Sequence, residues 1–105
     1  MDAQDITRTD GVGTYGTMGG LHFSTSSVLP LNSSGAVTDN TLSFGSSSYR
    51  WANIYTADFH LSNQGSPNDI DGTWGDWTMQ EGESDLFLKN NRSGKKYKFN
   101  LTEVS

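Results

Sequence analysis

Apolar side chains return at nearly every second position over the last third of the chain. Residues 72–101 carry Trp74, Trp77 and Met79, then Leu86, Phe87 and Leu88, then Tyr97, Phe99 and Leu101. This alternation predicts strands that pack on one face and stay wet on the other. Between the last two runs lies Asn90-Asn91-Arg92-Ser93-Gly94, a cluster that tolerates turn geometry and so predicts a hairpin. A three-strand meander follows from these features, and the rest of the chain is organised around it.

Upstream the pattern is shorter and more broken. Leu21 and Phe23 alternate with His22 and Ser24 and predict a strand of about four residues. Val28-Leu29-Pro30-Leu31 holds a proline, which assigns it to a sheet edge or a strand end. Asn32-Ser33-Ser34-Gly35 and Asp39-Asn40 read as turns, with Ala36-Val37 and residues 41–44 extended. After Gly45, Ser47 or Ser48 is placed to cap a single helical turn through Tyr49, Arg50 and Trp51. Residues 53–61 read as strand again, with Tyr55 and Phe59 as core candidates. Residues 64–72 form a loop marked by Gly65, Pro67, Asn68 and Asp71. No sustained period of 3.6 residues occurs, so the expected class is all-β, built of short antiparallel strands. Three parts result: a glycine-rich docking arm over 1–20, a shaft-like segment over 21–63, and the meander head over 64–105.

Composition changes this picture in one respect. Leu, Ile, Val and Phe make up about 19% of the chain, close to the level at which chains stay disordered. Yet aromatics reach 11% and the net charge is only -5, which argue for a folded protein. A chain of 105 residues with so thin a core and no cysteine to staple it completes that core with another copy or a partner, the alternative being a small monomer. The acidic balance excludes a nucleic-acid-binding face. The absence of any long apolar run excludes a transmembrane helix. The polar start Met1-Asp2-Ala3-Gln4-Asp5 predicts no secretory or mitochondrial leader.

Charge is also segregated. Asp69, Asp71, Asp76, Glu81, Glu83 and Asp85 precede Lys89, Arg92, Lys95, Lys96 and Lys98. Two readings stand: cross-strand pairing between an acidic and a basic strand, or complementarity between subunits.

Candidate chemistry is sparse. No nucleophile elbow, phosphate loop or zinc motif is present, and the chain reads as a non-enzyme with no cofactor. No metal is assigned. The residues that come nearest to a ligand set are His22 and His60, and Asp69 with Asp71 in an incomplete calcium-type loop; the same aspartates serve equally as turn formers. Trp74 and Trp77, with Asp76 between them, have the chemistry of sugar recognition, an aromatic face for the ring and polar groups for its hydroxyls. Three residues apart on a regular strand, the two indoles would point to opposite faces, unless Gly75 marks a bulge. Burial of both in an oligomer core is the other reading. Trp51 beside Arg50 reads as packing, with a cation–π contact available.

The segment Leu42-Ser43-Phe44-Gly45-Ser46-Ser47-Ser48-Tyr49-Arg50-Trp51-Ala52-Asn53-Ile54-Tyr55 resembles a unit common in bacteriophage tail-fibre and tailspike proteins. The stretches Asp58-Phe59-His60-Leu61-Ser62-Asn63, Gly72-Thr73-Trp74-Gly75-Asp76-Trp77-Thr78-Met79-Gln80-Glu81-Gly82 and Gly94-Lys95-Lys96-Tyr97-Lys98-Phe99-Asn100-Leu101 are similar to segments in virion proteins of T4-like marine phages, cyanophages especially. The resemblance covers residues 41–104 and lacks the long shaft repeats and self-cleaving chaperone domain of a complete fibre. It implies a structural virion protein, a homotrimer of intertwined strands acting in host attachment, with a surface glycan as a further partner. Trp51, Tyr55, Phe59, Phe87, Tyr97 and Phe99 are then the expected subunit contacts, and residues 1–20 the contact to other virion proteins. A histidine from each of three chains would offer three nitrogens on the axis. Two other classes remain open: a capsid or baseplate decoration protein docked through residues 1–20, and a free-standing carbohydrate-binding module.

Overall fold

A computed structural model of the chain describes residues 5–7 and 20–105. The chain divides into two compact units, Met1–Ala52 and Asn53–Ser105. Each holds one antiparallel sheet, and no helix occurs among the described residues, so the all-β expectation is met.

In the first unit β1 (Asp5–Thr7), β2 (Gly20–Phe23) and β3 (Val28–Leu31) pair in the order β1-β2-β3. The turn between β2 and β3 is closed by Ser24, whose N–H donates to the Ser27 carbonyl at 2.9 Å while its Oγ accepts the Ser27 N–H at 3.1 Å. Pro30 lies in the edge strand, where its missing N–H costs no ladder bond. After Leu31 the chain doubles back around Asn32, whose side-chain oxygen accepts the N–H groups of Ser34 and Ala36, each at 3.0 Å. That fold-back lays Val37 beside Leu31 and leaves Leu31 only 2% exposed. Of the expected docking arm, Asp5–Thr7 pairs with β2; the remainder, residues 1–4 and 8–19, lies outside the described residues.

Two local expectations fail in this unit. Residues 41–44 form no strand. The capped helical turn at Tyr49–Trp51 is replaced by a tight turn in which Ser46 and Tyr49 exchange backbone hydrogen bonds at 3.0 and 3.3 Å. Ser46, rather than Ser47 or Ser48, accepts the Tyr49 N–H through its hydroxyl, at 3.1 Å. Gly45 enters the turn at φ +94°, and Phe44 and Trp51 stack across it with ring centroids 4.8 Å apart. Trp51 therefore packs on Phe44, not on Arg50. The turn is set by aromatic stacking over a glycine, which helix-capping signals do not capture.

The second unit is a four-stranded sheet of β4 (Phe59–Ser62), β5 (Asp76–Glu81), β6 (Leu86–Asn90) and β7 (Lys96–Lys98), each strand antiparallel to the next. The meander is present and gains β4 as a fourth strand, while residues 53–58, also expected as strand, form none. Directly opposed residues share a face. Phe59, Met79 and Leu88 are aligned in this way, as are Leu61 with Trp77, Leu88 with Tyr97, and Glu81 with Leu86. Phe99 extends the pattern by donating its N–H to the Leu86 carbonyl at 2.9 Å. One face is thus apolar. The other carries His60, Thr78, Lys89 and Lys96 in a row, with Ser62, Asp76 and Gln80 beside it. Phe87 is the exception on that polar face, where its ring lies over Gly82; a Cβ there would stand 2.6 Å from the Phe87 Cε2.

Candidate functional site

Two features of the second unit bear on function: the apolar face, and a cavity at its turn end. Among the described residues only Leu31 and Thr78 are buried. Thr78 belongs to the polar face, and it is buried because that face is knitted by side chains. Its hydroxyl meets the His60 Nδ1 at 3.0 Å and accepts the Asn91 amide at 2.9 Å, and the same amide also donates to Asp76 at 2.9 Å. The apolar face is less fully covered: Trp77, Met79, Leu86 and Leu88 on the middle strands are half-buried, while on the outer strands Phe59 and Leu61 are each 47% exposed and Tyr97 is 48% exposed. Of the expected interface residues, Phe59, Tyr97 and Phe99 lie on this face and Phe87 on the opposite one; Trp51 and Tyr55 are exposed outside either sheet.

The cavity measures about 390 Å³ and is lined by Thr73, Trp74, Gly75, Trp77, Asn90, Arg92 and Ser93. Trp74 and Trp77 line it together. The parity expected of a regular strand does not apply, since β5 begins at Asp76 and Trp74 stands in the loop before it. The Trp77 indole lies over Gly75, where a Cβ would come within 2.8 Å of its Nε1. Gly75 thus leaves room for the ring without forming a bulge inside the strand. Arg92 stacks on Trp74 with its guanidinium carbon 3.7 Å from the ring centroid, and its Nη1 donates to the Trp74 carbonyl at 2.9 Å. The hairpin turn holds that residue in place: Asn90 Oδ1 accepts the N–H groups of Arg92 and Ser93 at 3.0 and 3.2 Å. Gly94 closes the turn at φ +78°.

Asp76, expected beside the tryptophans, does not line this cavity; its neighbour position in β5 sends it to the polar face, where it holds Asn91. Asn90, Arg92 and Ser93 stand in its place. Alternation alone could have removed Asp76, but no local signal joins Arg92 to a tryptophan eighteen positions earlier.

The remaining candidates are occupied by structural work. Asp71 accepts the hydroxyl of Thr73 at 2.7 Å, the amide of Asn68 at 2.9 Å and the Thr73 N–H at 3.1 Å, and these bonds hold its carboxyl below the ordinary value of 3.8. Asn68 Oδ1 in turn accepts the N–H groups of Ile70 and Asp71, so the loop is an Asx-type turn. His60 bonds Thr78 and lies 4.0 Å from Asp58, and His22 sits in β2 opposite Leu29. Among the described residues no group of three or more His, Cys, Asp or Glu side chains is assembled to hold a metal ion.

The charge map also resolves. Among the described residues no Lys or Arg side chain forms an ion pair with a carboxylate, and Asp58 approaches only the His60 imidazole, at 4.0 Å, so the acidic and basic stretches do not pair across strands. The reason is register: Thr78 and Lys96, not carboxylates, stand opposite Lys89, while Asp69, Asp71, Glu83 and Asp85 all fall in loops. Comparison with protein-family models, with curated proteins and with solved structures finds no match for this chain.

Proposed function

We propose that this chain is a structural subunit of a phage virion, a part of a homotrimeric β-structured tail fibre or spike acting in host attachment. The observation that carries the reading is the apolar face of the β4–β7 sheet, where Phe59, Leu61 and Tyr97 on the outer strands stay about half exposed, while Thr78 at the middle of the other face is buried beneath hydrogen-bonded side chains. Exposed apolar side chains on the outer strands, flanking half-buried Trp77, Met79, Leu86 and Leu88 on the middle ones, suit a surface that other copies cover. Carboxylates in the loops and lysines on β6 and β7, which form no ion pair among the described residues, add charges of opposite sign that contacts between copies can bring together. The resemblance of residues 41–104 to fibre and virion segments supplies the biological setting.

Two measurements test it. Sedimentation of the full chain should give a trimer at micromolar concentration; a lone monomer overturns the assembly reading. Gold-labelled antibody against the chain should decorate the tail fibres of intact particles. Label confined to the capsid surface favours the decoration reading instead.

A further inference from the structure

The cavity beside Trp74 and Trp77 is lined by several hydrogen-bond donors without an acceptor among the described residues. Asn90 spends its side-chain oxygen on the turn, and its NH₂ group has no acceptor among the described residues. Ser93 Oγ accepts the Lys95 N–H at 3.1 Å, and its O–H has no acceptor among the described residues. Neither indole N–H of the two tryptophans has a protein acceptor among the described residues, and Arg92 uses a single N–H, toward the Trp74 carbonyl. No carboxylate lines the space, and Arg92 takes part in no ion pair among the described residues. Such a cavity suits a ligand rich in acceptors and negatively charged.

We propose that this cavity binds a carboxylate-bearing sugar residue, a uronic acid of a surface polysaccharide. The C–H face of the pyranose lies against the Trp77 indole, and the carboxylate meets the guanidinium of Arg92. Stacking on Trp74 fixes the plane of that guanidinium, and the bond to the Trp74 carbonyl fixes its rotation, so the fork is preorganised for two parallel N–H···O bonds. Asn90 and Ser93 donate to ring hydroxyl oxygens. A neutral sugar would satisfy the indole and the amide but leave the cation unanswered. A carboxylate side chain from a neighbouring copy would answer the cation but leave the indole platform without a flat apolar ring. The inference rests on the attachment reading for its biological setting alone; the site lies wholly within one chain.

Isothermal titration of the full chain with three probes tests it: a galacturonate trisaccharide, the neutral galactose trisaccharide of the same linkage, and its sulfated derivative. The uronate is expected to bind about tenfold or more tighter than the neutral sugar, in line with a charge-assisted hydrogen-bond pair. That preference should shrink as salt rises. Arg92→Gln is expected to bring uronate binding down to the neutral level, Arg92→Lys to restore part of it, and Trp77→Ala to weaken both sugars together. Equal binding of uronate and neutral sugar, tighter binding of the sulfated probe, or no binding of any probe overturns the proposal. These comparisons on the unaltered chain hold even if a variant fails to fold. A fall in oligomer mass on Arg92→Gln with uronate binding unchanged also overturns it, by assigning Arg92 to a neighbouring copy's carboxylate. A monomeric chain that still prefers uronate removes the assembly reading and leaves this site standing.

Discussion

The two faces of the four-stranded sheet are built from the same strands and finished in opposite ways. On the polar face Thr78 is buried to 2% exposure under His60 and Asn91, and every buried polar side-chain atom among the described residues has a hydrogen-bond partner. On the apolar face Phe59, Leu61 and Tyr97 remain about half exposed. A chain closes with its own side chains whatever short polar groups can reach. It cannot cover a flat apolar sheet without a second layer, and the second unit has no other sheet to serve as one. The difference teaches that short polar side chains can finish a face within one chain, whereas an apolar face of this size stays partly exposed without a second layer.

Breaking the apolar face should have the largest effect. If copies associate through this face as proposed, aspartate at Phe59 and Leu61 together would bury unpaired charge in the contact, and self-association measured by sedimentation is expected to weaken by about a hundredfold or more. Unchanged mass would show that this face is not the contact. Neighbouring positions on β6 sharpen the contrast. Leu88→Ala removes a residue from the apolar face and is expected to cost the oligomer about 2–4 kcal/mol in urea denaturation. Phe87→Ala, although it deletes more atoms, is expected to cost only about 1 kcal/mol, since its ring rests on Gly82 at the solvent side. Similar losses at both positions would mean that both faces are covered.

On the polar face, Thr78→Val keeps the shape and removes the hydroxyl that receives Asn91 and meets His60. A loss of about 1–2 kcal/mol is expected, read from the same denaturation curves. The smallest effect concerns Asp71, whose carboxyl is held below 3.8 by the bonds from Thr73 and Asn68. Because its folded value is depressed, the loop's added stability is present above the unfolded value and is lost only as pH falls through the folded one. An NMR titration should place the Asp71 midpoint below 3.8 and show no change in residues 68–73 near neutrality.

The strands were legible where the pattern is local. Alternation at Trp77 and Met79, at Leu86 and Leu88, and at Tyr97 and Phe99 marks the apolar side of the meander, and the Asn90–Gly94 cluster marks its turn. What local pattern does not carry is pairing. Phe59–Ser62 joins Asp76–Glu81 across the long loop of residues 63–75, which Asn63 ties down by accepting the Gly75 N–H at 2.7 Å and donating to the Thr73 carbonyl at 3.2 Å. The cross-strand reading of the charge map fails for the same reason: segregation in sequence predicts nothing about register, and the register sets Lys89 opposite Lys96. At the cavity both tryptophans could be chosen from their type alone, whereas Arg92 could not, because its role comes from a turn that returns it to Trp74.

The loop of residues 63–75 has a bearing on the order of events in folding. The turns that join β5 to β6 and β6 to β7 are short, and contacts across them form early because little chain entropy is lost in closing them. β4 reaches β5 only by closing the longer loop, which costs somewhat more chain entropy. Wherever β4 is detached, the outer edge of β5 offers the backbone groups that receive residues 59–62 to the same strand of another chain.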